Sequence, residues 1–172
     1  MSLSETMVRM GELAVSSTPG HVLVSLGLGS CVGLALIDRK AGIAGVAHIV
    51  LPDSQGCVQD NPRKFADLAI PEMLRELEAL GARTARLEGV LVGAAQMFAI
   101  SSSSLDIGHR NEAAVRERLN LLRIPVLAAA TGGSRGRTIR VDVATASVTV
   151  RVAGGKDEEL VAPRQIIEAV GA

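Results

Sequence analysis

Four short apolar runs near the start limit most strongly what this chain can fold into. "GELAVS" (11–16), "HVLVSL" (21–26), "CVGLALID" (31–38) and "IAGVAHIVLP" (43–52) are rich in Val, Leu and Ile and are divided by Pro-Gly or Gly-rich breaks. Runs of that length and composition read as β-strands. "RKAG" at 39–42 reads as the tight turn of a hairpin joining the last two. The apolarity is continuous rather than alternating, which predicts that several of these strands are buried on both faces.

Helical periodicity begins after a polar loop, "DSQGCVQDNPRK" (53–64). Phe65, Ala69, Met73, Leu77 and Leu80 recur at helical spacing, and Gly81 stands where a helix ends. Pro71 either bends that helix or starts its main segment. A strand is expected within 86–98, a flexible loop at "SSSS" (101–104), and a second helix from Asn111 through Ala114, Val115, Arg118, Leu119 and Leu122. "GHRN" (108–111) is read as its cap, through Asn111 or a nearby polar group. Strands follow at 124–130, 137–143 and 147–153, and "APRQIIEAVG" offers a short terminal helix with Pro163 near its start. With 172 residues and no long linker, the expectation is a single domain over 1–172, with a core at about 8–153 and a C-terminal extension at 154–172. The fold class is α/β, with mixed, largely antiparallel β-sheet layers packed with two main helices. Phe65 and Phe98 are the chain's only aromatic residues, so Val, Leu, Ile and Ala must build the core.

Eighteen basic and eighteen acidic residues cancel, which points away from a nucleic-acid or anionic-membrane surface. Scarce aromatics argue against base stacking. "MSLSETMVRM" lacks the apolar core of a signal peptide, and the uncharged run 41–52 is too short to span a bilayer. Two cysteines imply no disulfide framework, and a reducing cytoplasm is the simplest setting.

Chemistry concentrates at "SLGLGSCVGLALID" (25–38). Gly27, Gly29 and Gly33 graze a dinucleotide-binding fingerprint, but that motif needs a helix after the glycines and a strand follows here. The glycines instead suit a sharp bend that exposes Cys31 beside backbone amides able to stabilise an oxyanion. A thiol needs a base. His48, across the "RKAG" turn on the next strand, is the candidate, although the register is not legible. Two blander readings stand beside this one: a buried cysteine and histidine as core packing, and a zinc site from Cys31, His48, Cys57 and His21 or His109 that lacks clustered ligand spacing. "TGGSRGR" (131–137) reads as an anion- or receptor-contacting loop using Arg135 or Arg137, or as a plain turn.

"LGLGSCVGLALID" followed by "GVAHIVLPDS" strongly resembles the chemoreceptor glutamine deamidases of bacterial chemotaxis, the CheD family. The likeness continues in order through "NPRKFADLAI", "GAAQMF", "IGHRNEAAV" and "TGGSRGR", over roughly residues 8 to 153. What the resemblance implies is a cysteine hydrolase that converts receptor glutamines to glutamate through a thioester. Its nucleophile falls on Cys31, its histidine on His48, and its third member, a threonine, on Ser25. The family often has glycine at the position of Ala94, and an acidic residue near Ala129 and Ala130. The resemblance further implies no metal or organic cofactor, chemoreceptor cytoplasmic helices as substrate and, for some members, a CheC-type phosphatase as partner and methyl-ester hydrolysis as a second activity. Because a protein-borne glutamine must reach the sulfur, Cys31 is expected on the floor of a shallow, open groove. A non-enzymatic chemotaxis adaptor and a hydrolase of small free amides are the rival readings.

Overall fold

Each of the four early apolar runs forms a strand, and three of them share one sheet. The computed structural model describes residues 3–56, 61–97 and 106–165. Along the chain it contains β1 (Ser4–Met7), β2 (Leu13–Ser16), β3 (His21–Leu28), β4 (Val32–Asp38) and β5 (Ile43–Ile49), then α1 (Ala66–Ala79) and β6 (Glu88–Gly93). After these come α2 (Ile107–Leu121), β7 (Val126–Thr131), β8 (Arg137–Asp142), β9 (Val148–Val152) and β10 (Asp157–Val161). An inner sheet runs β2-β5-β4-β6-β7 and an outer sheet β1-β3-β8-β9-β10. Only β1–β3 and β6–β7 pair in parallel, so the sheets are mixed and largely antiparallel, as the sequence implies.

The inner sheet is the middle of three layers, which explains why its strands are apolar without alternation. Val32, Leu34 and Leu36 of β4 pack with Ala69, Ile70, Met73 and Leu77 of α1 and with Val115 and Leu119 of α2. Their neighbours Ala35 and Ile37 face the other way, into a second core with Leu23 and Leu28 of β3 and Ile139 and Val141 of β8. The same rule sorts β5: Ile43, Ala47 and Ile49 go to the helices, Ala44 and Val46 to the outer sheet. Gly45 lies where α1 crosses β5; a Cβ there would sit 2.9 Å from Val15 Cγ1 and 3.2 Å from Met73 Sδ.

Several expectations are corrected in detail. Helix α1 begins at Ala66, so Pro71 lies inside it rather than at its first turn. Of the two caps expected for α2, the nearby polar group is the one found: the Asp106 carboxylate accepts from His109 N, and Asn111 is buried within the helix. Strands β1 and β10 form outside the runs expected from sequence. "SSSS" and most of the expected terminal helix lie outside the described residues, and Pro163 to Gln165 have no regular structure.

At the end of β4, the fully buried Asp38 carboxylate accepts from Ala41 N and Arg83 N, and from Arg86 Nη2 at 2.8 Å. It thereby fastens the "RKAG" turn, which is closed as read from sequence, to the segment leading into β6.

Candidate active site

Register decides which side chains can meet. In the β4–β5 hairpin Gly33 is opposite His48 and Val32 is opposite Ile49. The alternation of β5 sends His48 toward the outer sheet, and that of β4 sends Cys31, just before its first residue, to the same side. The thiol and imidazole therefore share one face of the inner sheet. Ser25 reaches them from β3 of the outer sheet.

Hydrogen bonding allots the protons. Ser25 Oγ donates to the Val8 carbonyl at 2.8 Å and lies 2.8 Å from His48 Nδ1. A hydroxyl has one proton, and spending it on Val8 leaves Oγ to accept from Nδ1–H. The Val8 carbonyl also lies 3.4 Å from Nδ1, a second acceptor for the same proton. Nε2 is then the nitrogen with a lone pair, and it has no partner among the described residues. In this structure the Cys31 thiol thus makes no hydrogen bond to it. His48 is 1% exposed and Cys31 8%. Burial pulls the imidazole below its ordinary 6.5, only partly offset by the Val8 carbonyl and the charge of Glu12. Burial likewise pushes the thiol above 9.0 against the effect of its own backbone amide. Both shifts favour a neutral resting pair.

The bend is built by backbone. Gly29 N donates to Gly27 O, which removes one of the amides expected to face an oxyanion. Neither Ser30 N–H nor Cys31 N–H donates to a backbone carbonyl among the described residues. Ala94 N donates to Cys31 O and Ala95 N to Gly29 O, both at 2.8 Å, so the two alanines after Gly93 clasp the bend. Gly93 (φ 111°) must lack a side chain, because a Cβ would come within 2.3 Å of Cys31 O. Ala94 follows at φ 51°, a left-handed conformation that glycine adopts more readily.

Sequence reasoning missed Asn111 as a site residue. It is fully buried, and its Nδ2 donates to Ser30 O and to Val50 O at 2.9 Å each. Its signal lay in the pattern: with Val115 and Leu119 it forms a stripe at four-residue spacing on the inward face of α2, where an amide is out of place.

Other candidates go elsewhere. His21 is held between Thr6 Oγ1 and Ser16 Oγ at 2.7 Å each. Cys57 lies outside the described residues, and among the described residues no three His, Cys, Asp or Glu side chains cluster as metal ligands would. "TGGSRGR" carries the chain from β7 to β8, and Arg137 Nη1 donates to Gly132 O at 2.6 Å and to Gly93 O at 3.3 Å. A cavity of about 310 Å³ lined by Met7, Val8, Arg9, Met10, Leu26 and His48 opens beside the site, at the imidazole rather than at the sulfur.

Fold and geometry define a class: an α/β protein of two stacked sheets with a thiol, an imidazole and a hydroxyl bonded to that imidazole at their interface. A family model described as "CheD chemotactic sensory transduction" matches residues 50–152. A Clostridium kluyveri protein named "Probable chemoreceptor glutamine deamidase CheD" is 43% identical over 157 residues, covering 90% of this chain and 96% of its own. A Clostridium botulinum protein of the same name is 43% identical over 163 residues, covering 93% of this chain and 100% of its own. Among solved structures, a Neisseria meningitidis protein of the DUF152 family is similar at 11% identity, covering 77% of this chain and 64% of that one, with a TM-score of 0.48. The chain belongs to the CheD family. No described helix is long and apolar enough to cross a membrane.

Proposed function

We propose that this protein deamidates glutamine side chains on the cytoplasmic helices of chemoreceptors, with Cys31 as nucleophile, His48 as base and then acid, and Ser25 as the group that orients His48. The observation that carries the reading is the Ser25–His48 hydrogen bond, which leaves a bare Nε2 on the face that Cys31 shares. The names of the relatives supply chemoreceptor glutamine as the substrate, and the family resemblance its place on cytoplasmic helices.

His48 Nε2 takes the Cys31 proton as Sγ attacks the amide carbon, and the carbonyl electron pair moves onto oxygen. When that pair returns, the C–N bond breaks and His48 gives its proton to the leaving nitrogen, which departs as ammonia. Water, deprotonated by His48, then attacks the γ-glutamyl thioester and releases glutamate and the thiol. A neutral starting pair suits this order, because attack and proton transfer occur together rather than from a standing thiolate. Ser25 and Val8 stabilise the imidazolium through Nδ1–H.

Purified protein incubated with receptor cytoplasmic fragments tests this by peptide mass spectrometry. Glutamine-to-glutamate conversion is expected with wild type and its loss with a folded Cys31→Ala variant. Undiminished conversion by that variant sinks the cysteine mechanism. Turnover of free glutamine alone points to a small-amide hydrolase, and binding without conversion to an adaptor.

A further inference from the structure

Asn111 has no part in the chemistry just described, yet it is fully buried in a helix whose other inward residues include Val115 and Leu119. Burying an amide is costly unless its groups are bonded. Nδ2 uses its two protons on Ser30 O and Val50 O, while Oδ1 has no partner among the described residues. The side chain is thus committed to two particular carbonyls. Ser30 C=O and Cys31 N–H are opposite ends of one planar peptide unit, so fixing the first aims the second. Val50 directly follows β5 and lies two residues beyond His48.

The other edge of β4 adds an independent observation. Its ladder with β6 ends at the pair Val32 and Gly93. Ala94 N still donates to Cys31 O as a further rung requires, but the reciprocal bond from Cys31 N to Ala94 O is absent among the described residues. The left-handed turn at Ala94 takes the chain away at that point, and Ala95 N bonds Gly29 O instead. The Cys31 amide is left out of the sheet while its peptide is gripped from behind.

We infer that Asn111 is a positioning residue for the oxyanion: it clamps the Ser30–Cys31 peptide so that Cys31 N–H points at the substrate oxygen as the Sγ–C bond forms. The inference rests on the reading of Cys31 as nucleophile. Accepting a bond at Ser30 O also polarises that N–H. The second bond, to Val50, ties the strand carrying His48 to the same anchor, holding thiol and imidazole at a set spacing.

Steady-state kinetics on receptor fragments should be measured for wild type, Asn111→Ala and Asn111→Asp, together with the rate of Cys31 alkylation by iodoacetamide. Alkylation needs the sulfur but develops no oxyanion, so it separates aiming of the amide from general loosening. The clamp predicts kcat lower by about 10–100-fold, with KM and alkylation unchanged. An unchanged kcat, or kcat and alkylation falling together as KM rises, overturns it. Asn111→Asp keeps the shape of the amide and carries the measurement should the alanine variant not fold. Wild-type protein that leaves receptor glutamines intact overturns the deamidase reading and the clamp with it, whereas an active wild type with an equally active variant sinks the clamp alone.

Discussion

At the residue scale, the site turns on where one proton sits. Ser25 gives its hydroxyl proton to Val8, so the imidazole presents Nδ1–H to Ser25 and a lone pair at Nε2. Removing the hydroxyl leaves only the longer contact to Val8, at 3.4 Å, to choose the tautomer. Ser25→Ala should therefore lower kcat for receptor deamidation by about 10–100-fold, and Ser25→Thr, which keeps the hydroxyl, should stay near wild type. Rate measurements on the two variants check this, and equal loss in both would point to packing rather than the hydroxyl. Cys31 and His48 could be named from the sequence because each stands out chemically in an apolar run. Their shared face could not, since a slip of one residue in β4–β5 pairing would send His48 to the helices. The stripe of Asn111, Val115 and Leu119 marks Asn111 as an inward amide, but its partners are backbone carbonyls, so residue identities do not say what it holds.

At the scale of elements, the apolar runs of β3, β4 and β5 were readable because burial on two faces demands unbroken aliphatic sequence. Strands β1 and β10, "SETM" and "DEELV", are polar edge strands, the first paired in parallel with the non-adjacent β3 and the second closed as a hairpin on β9. No local pattern announces such a strand. The β4–β5 hairpin also relies on a contact that periodicity does not show. Burial pushes the Asp38 carboxyl up, but Arg86 and the amides of Arg83 and Ala41 outweigh it and hold the group below its ordinary 3.8. Arg86→Ala should cost about 1–3 kcal/mol at neutral pH by leaving a buried carboxylate with only its two amide donors, as measured by urea unfolding. Because the folded value is depressed, this stabilisation is present above pH 3.8 and is lost as the pH falls through the folded value. The gap between variant and wild type should narrow accordingly in acid.

For the molecule as a whole, basic and acidic residues balance, so net repulsion is small near neutrality and buried groups shape the pH response. His48 binds its proton less readily folded than unfolded, so its contribution is lost as pH drops below 6.5. Cys31 gives up its proton less readily when folded, so stability is lost as pH rises above 9.0. Melting curves should show the highest Tm between these limits, with a shallower alkaline fall in Cys31→Ala. A Tm that climbs steadily through pH 9 would contradict the burial assigned to that thiol.

Ser25 comes from one sheet, and His48 and Cys31 from the other. The Ser25–His48 contact, and with it the proposed trio, is consequently completed by stacking rather than by either sheet alone. A collapsed state with every strand formed but the two layers unlocked would hold all three residues and still be inert. Onset of deamidation during refolding would mark the moment when the layers mesh.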